Sequence, residues 1–219
     1  MLDKILCIYP IDPTTDFLIS IPYQLQIVYK NQFELLRIDS SEESYLKAIY
    51  RMETCSNNTL ILFIGHGSTA GFHCYTEMEN DSVIFLNAHN IKRITKKNIY
   101  AFSCNSSIFL RKFSCNTNSW LGFDDLPTEI ETFPIAFLQD EDKMKFLDFY
   151  KKVLTEAILF SIIQLVDFGS FSKSSSSLKL FLNKEMINLA SSNSTEKNRE
   201  LAELIFKTKK GIDYFESIR

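Results

Sequence analysis

"TLILFIGHG", residues 59–67, decides the fold and raises the functional question together. Leu60 to Ile64 is an unbroken apolar run with no polar alternation, which reads as a strand buried on both faces, as a central parallel strand is. It ends in Gly65-His66-Gly67, and His66 is one of only three histidines in 219 residues. A second stretch, "NIYAFSCNS" (98–106), is built the same way, with Cys104 two residues beyond its last apolar position. Two parallel neighbours would present both side chains at the carboxyl edge of the sheet, where open α/β folds place their sites. Adjacent strands lie ~4.8 Å apart, so strand-end residues come within reach of each other. The thirty-odd residues between the runs suffice for the crossover that parallel pairing requires.

Working outward, "KILCIY" (4–9) is a further buried strand closed by Pro10, and "FELLRID" (33–39) is another. Residues 11–22, with Pro13 and Pro22 after Pro10, read as a loop. "DSSEESYLKAIYRM" (39–52) reads as a helix capped by Ser41 or Ser40, with Tyr45, Leu46, Ile49 and Tyr50 at helical spacing. "NAHNIKRI" (87–94) reads as a short helix, and "NSSIFLRKF" (105–113) as a helix capped by Asn105 or Ser106. Residues 116–135 are irregular. From Glu141 the 3/4 spacing of Phe146, Phe149, Tyr150, Val153, Leu154, Ala157 and Ile158 predicts a long helix. "GSFSKSSSS" (169–177) reads as a Gly/Ser loop, followed by helical stretches near 178–190 and 195–217. Strands alternating with helices give an α/β fold, a three-layer sandwich with a mostly parallel central sheet and a helical C-terminal third. The expected division is a core over 1–168 and a helical extension over 169–219 packed on it.

Composition narrows the function classes. With 45% hydrophobic residues and nineteen Phe, the chain has ample material for a core. A formal charge of −3 and no basic cluster beyond "KRITKK" (92–97) argue against nucleic acid and anionic membranes as partners. No apolar run approaches the ~20 residues that span a bilayer, and Pro10 interrupts the N-terminus too early for a secretory signal. Five cysteines, an odd number without close pairs, fit a reducing cytoplasm rather than a disulfide framework. His66, His73, Cys74, Cys104 and Cys115 lack the close Cys pair of a structural zinc site, so neither a metal nor another cofactor is expected.

The His66–Cys104 pair carries the chemistry. A thiol of pKa ~8.5 is mostly protonated at neutral pH and becomes a nucleophile when a histidine stabilises its thiolate. Cys104 also precedes a predicted helix, whose N-terminal dipole favours the thiolate. Gly67 lets a backbone N–H beside the base approach an oxyanion without a Cβ in the way, and the Cys104 N–H is the second candidate donor.

These residues carry a family resemblance. A hydrophobic block ending in His-Gly, followed by a second block ending in Cys, is the signature of caspase-like cysteine proteases, a class that includes caspases, metacaspases, separases, gingipains and bacterial CHAT proteases. "LILFIGHG" and "IYAFSCNS", with 38 positions from His66 to Cys104, resemble a bacterial member over about residues 1–165. "MKFLDFYKKVLTEAI" (144–158) is similar to the helix that follows the CHAT core. The resemblance implies a caspase-like sandwich and a cysteine endopeptidase without cofactor, acting on a protein or peptide substrate. It further implies a setting in bacterial defence or cell death and an activating protein partner. Phe102 stands where metacaspases place an acid and caspases a glutamine that shape the specificity pocket, and no Gly follows as in the caspase "ACRG" pattern. The specificity therefore transfers less well than the pair. Asp124 and Asp125 are candidates for an acidic pocket for Lys or Arg, as in basic-specific relatives.

Other residues have plainer readings. Trp120 and Phe123 either wall a substrate groove or pack, and packing is the better reading. Cys7 belongs to a strand core, and His73 and His89 are structural or surface residues. Two rivals stand beside the protease: a catalytically silent caspase-like interaction module, and an α/β-hydrolase using "GHGS" as an oxyanion segment. The latter lacks a G-x-S-x-G elbow.

Overall fold

Continuous apolar runs can bury both faces only in the middle of a layered sheet, and that is where they lie. In the computed structural model, which describes residues 2–39, 41–74, 83–128, 140–191 and 196–217, β1 (Lys4–Pro10), β2 (Phe33–Ile38) and β3 (Thr59–Ile64) are the first three strands of the main sheet. A small antiparallel sheet of β4 (Gly67–Ser68), β5 (Gly71–Cys74) and β6 (Val83–Asn87) follows. β7 (Asn98–Phe102), β8 (Ser119–Gly122) and β9 (Asp213–Glu216) complete the main sheet, in the order β2-β1-β3-β7-β8-β9. All its pairings are parallel except β8 with β9.

Alternation along each strand divides the core. Cys7, Tyr9, Leu60, Leu62, Ile64, Tyr100 and Phe102 face one side. That side is covered by α1 (Ser20–Tyr29), α4 (Asp140–Phe168), α5 (Phe171–Ser191) and α6 (Glu196–Lys210). Ile61, Phe63, Ile99, Ala101 and Trp120 face the other, under α2 (Glu42–Thr54), α3 (Ser106–Lys112) and the small sheet. The three layers, the mostly parallel sheet and the four strands read from the sequence are all present. α2 begins as expected, with Ser41 Oγ accepting from Ser44 N at 3.2 Å; Ser40, the alternative cap, lies outside the described residues.

Several expectations need correction. Residues 11–22 are not a loop: Pro13–Leu18 is a 3-10 turn and α1 starts at Ser20. Pro13 and Pro22 occupy first turns, where a missing N–H costs nothing, so they start helices here and break none. "NAHNIKRI" contains the end of β6 and only a three-residue 3-10 turn, Ile91–Arg93. The Ser run 172–177 is the first half of α5. Its small side chains let α5 approach α4 closely: Ser174 Oγ donates to Ser161 O at 2.9 Å, and the two hydroxyls lie 2.8 Å apart, fully buried. Finally, the stretch near 195–217 is helical only to Lys210, and Asp213–Glu216 adds an edge strand to the main sheet. Residues 169–219 thus contribute α5, α6 and β9 to the same core as 1–168. β8 falls within the stretch expected to be irregular, 116–135, of which 129–135 lie outside the described residues.

Candidate active site

Three adjacent parallel strands, β1, β3 and β7, end at one edge, and each is followed within two residues by a chemically capable side chain: Asp12, His66 and Cys104. β3 and β7 pair through Ile64 and Phe102, and Gly65 N donates to Phe102 O at 3.2 Å. His66 and Cys104 each lie two positions past that last pair, where both chains have left the sheet. Contact between the two strand ends is direct at the next position. A Cβ built on Gly67 would lie 2.6 Å from Ser103 Oγ and 2.9 Å from Cys104 O. The glycine is therefore required by close packing of β4's first residue on the Cys104 backbone, whatever its amide does besides.

The histidine is held from the β1 side. His66 Nε2 lies 3.1 Å from Asp12 Oδ2 and 2.6 Å from Thr14 Oγ1. Its side chain keeps 35% exposure, while the Asp12 side chain keeps 1%. Thr14 Oγ1 and Thr14 N both donate to Asp12 Oδ1, each at 2.8 Å. The Nε2–Oδ2 contact is an ion pair whenever His66 is protonated. Burial alone would push the Asp12 carboxyl up, but the bonds from His66 and Thr14 outweigh it and hold it below the usual carboxylate range. Asp12 and Thr14 escaped the sequence reading. The strand-end logic that found His66 and Cys104 applies equally to Asp12, two residues past the β1 apolar run, and was the signal available.

Cys104 is half-buried, and its Sγ donates to Leu126 O at 3.4 Å. The next residue, Asn105, has φ 57° and caps α3 without a side-chain bond. Its amide donates to Asp124 O at 3.0 Å. With seven residues, α3 is a short helix, so its dipole is a modest aid to a thiolate. Ser106, fully buried, ties the turn together: its hydroxyl bonds Ala101 O and Ser103 O and accepts from Phe123 N. All five cysteines lie among the described residues and none is disulfide-bonded. Burial pushes the Cys74 thiol up to about 12 and the Cys7 thiol higher still, which makes both poor thiolates. Burial also raises Cys55, against the pull of Lys97.

The remaining sequence candidates separate. Phe102 is 2% exposed and packs edge-on to Phe123, with ring centroids 5.1 Å apart. Trp120 is 1% exposed on the opposite sheet face, its Nε1 donating to Ser114 Oγ at 2.9 Å. Both are core residues, which removes them as groove walls, and Phe123 is likewise buried. Asp124 is stitched into the fold: Ser107 Oγ donates to its carboxylate and its amide donates to Gly211 O at 2.9 Å. Asp125 is exposed, and both it and Cys104 act electrostatically on Tyr150, whose phenol is raised chiefly by burial. His73, on β5, donates its amide to His66 O at 3.0 Å and meets Ser68 Oγ through Nε2 at 2.9 Å. Burial and the neighbouring His66 both lower its pKa. His89 lies in a turn closed by Asn87.

Among the described residues, no group of three His, Cys, Asp or Glu side chains is placed to hold a metal ion, and no helix is long and apolar enough to cross a membrane. The fold and site define an α/β protein with a strand-end His and Cys on neighbouring parallel strands. No family model matches the chain, and no curated protein matches it in sequence.

Proposed function

We propose that this protein is a cysteine endopeptidase of the caspase-like kind, acting through His66 and Cys104. The observation that carries the proposal is the pairing of β3 and β7 in parallel register up to Ile64–Phe102, with both reactive residues two positions further on. His66 takes the Cys104 proton, and the sulfur adds to the scissile carbonyl carbon. The amides of Gly67 and Cys104 are the donors for the resulting oxyanion. On collapse, the C–N bond breaks and the amine leaves with the proton held by His66. Water, deprotonated by the same imidazole, then hydrolyses the thioester and returns the thiol. The substrate is a protein or peptide. A cytoplasmic setting rests on the cysteine pattern, and a role in bacterial defence or cell death on the resemblance alone. The half-buried thiol and its bond to Leu126 O suit a site opened by a protein partner that draws residues 123–128 aside.

The test is alkylation of all five cysteines followed by peptide mass spectrometry between pH 5 and 9, with His66→Ala alongside. Cys104 should label faster than exposed Cys115 at neutral pH and lose that lead in the variant, while Cys7 and Cys74 stay slow. A Cys104 no faster than Cys115, and indifferent to His66, would instead favour the silent interaction module.

A further inference from the structure

Proton bookkeeping around Asp12 leads one step beyond the dyad and rests on the reading above. Thr14 has a single hydroxyl proton. Its oxygen touches two polar atoms, Asp12 Oδ1 at 2.8 Å and His66 Nε2 at 2.6 Å. An ionised carboxylate only accepts, so the hydroxyl proton must go to Oδ1; otherwise two bare oxygens would face each other at 2.8 Å. The contact with His66 is then closed by Nε2–H donating to the Thr14 lone pair. The Asp12 Oδ2 charge, 3.1 Å away, favours the proton on that same nitrogen. We propose that Asp12 and Thr14 are positioning residues that fix His66 in its Nε2–H tautomer, making Nδ1 the atom that takes the Cys104 proton.

The support is rigid. Asp12 is 1% exposed, lies two residues past β1 and caps the 3-10 turn through Thr14 N. Pro13 fixes the intervening φ. Among the described residues, Asp12 from the β1 end and His73 from β5 act on His66, and Cys104 lies two positions past the paired end of β7. Asp12 favours the imidazolium, and His73 opposes it only when charged. The carboxylate does for this histidine what an orienting acid does in a triad: it selects the tautomer and stabilises the cation.

Long-range proton–nitrogen correlation spectra of protein labelled with ¹⁵N-histidine read this directly, with His66→Gln assigning the signals. Neutral His66 should show the Nε2–H pattern. Asp12→Asn, which keeps an oxygen for the Thr14 amide, should lower the pH at which His66 titrates by about one unit. Thr14→Val should weaken the tautomer preference, and Thr14→Ser should restore it. An Nδ1–H pattern in the unaltered protein, or a His66 titration unmoved in Asp12→Asn protein of native circular dichroism, overturns the proposal. The two readings fail separately. An Nε2–H His66 beside an unreactive Cys104 sinks the hydrolase and leaves the tautomer lock standing; an Nδ1–H His66 beside a fast Cys104 does the reverse.

Discussion

Replacing Gly67 with Ala tests the contact on which the site geometry depends. The added methyl would sit 2.6 Å from Ser103 Oγ, 3.0 Å from Ser103 Cβ and 2.9 Å from Cys104 O, where ordinary contact begins at 3.4 Å. Two of these neighbours cannot swing away, because Cys104 O is backbone and Ser103 is 2% exposed in a turn that Ser106 pins from below. The strand ends must therefore part by roughly half an ångström, at the overpacking cost of about 1–3 kcal/mol. In a domain of this size a loss of 2 kcal/mol lowers Tm by about 4–8 °C. Urea melts of Gly67→Ala give the stability, and Cys104 alkylation at neutral pH gives the site. Both should fall. Ser103→Gly in the same chain removes two of the three obstructions and should return part of the stability. A Gly67→Ala protein with unchanged Tm and unchanged Cys104 labelling would refute the packed β3–β7 edge on which the proposed pairing of His66 and Cys104 rests.

Three other outcomes are expected. Ser174→Leu forces a large side chain between α4 and α5 and should cost about 1–3 kcal/mol, whereas Ser174→Ala, which loses only the bonds to Ser161, should cost about 1 kcal/mol in urea unfolding. Glu216→Ala removes the acceptor for Ser170 Oγ, Phe171 N and Ser172 N, so α5 loses its N-terminal cap and the protein about 0.5–2 kcal/mol; Glu216→Gln should lose less in the same melts. Asp12 is held below its ordinary range, so its contribution is present above about pH 4, its unfolded value, and fades as pH falls through the folded one. The stability gap between the unaltered protein and Asp12→Asn should accordingly widen from pH 7 to 5, as His66 becomes protonated beside the carboxylate, and narrow again at pH 3.5, and a gap independent of pH would contradict the assignment.

How much of this was legible in the sequence depended on whether a signal was local. β1, β3 and β7 were readable because strands buried on both faces are continuously apolar, as Leu60–Ile64 shows. β8 and β9 were not: four residues each, "SWLG" and "DYFE", are too short for a period, and β9 exists because β8 offers it an edge. The Ser run of α5 reads as a loop by composition. What makes it helical is tertiary, the close approach of Ser174 to Ser161. In the site, His66 and Cys104 announced themselves by following apolar runs. Asp12 was masked by the prolines around it, and its meaning appears only when β1 is seen to lie beside β3. Phe102 and Trp120 show the converse, since their positions in the chain say nothing about which way a side chain is buried.

The strand β9 has a consequence for timing. Its partner β8 is made some ninety residues earlier, and between the two come α4, α5 and α6. At 5–20 residues per second, a growing chain spends roughly 5–20 s with the β8 edge open. Over the same interval the Asp124 amide lacks Gly211 O, and the α5 N-terminus lacks Glu216. The turn bearing Cys104 leans on Asp124 through the Asn105 amide, so its final shape waits for Gly211, some ninety residues further along the chain. The turn of the candidate nucleophile thus completes its hydrogen bonds only after α4, α5 and α6 have been made, long after Cys104 itself.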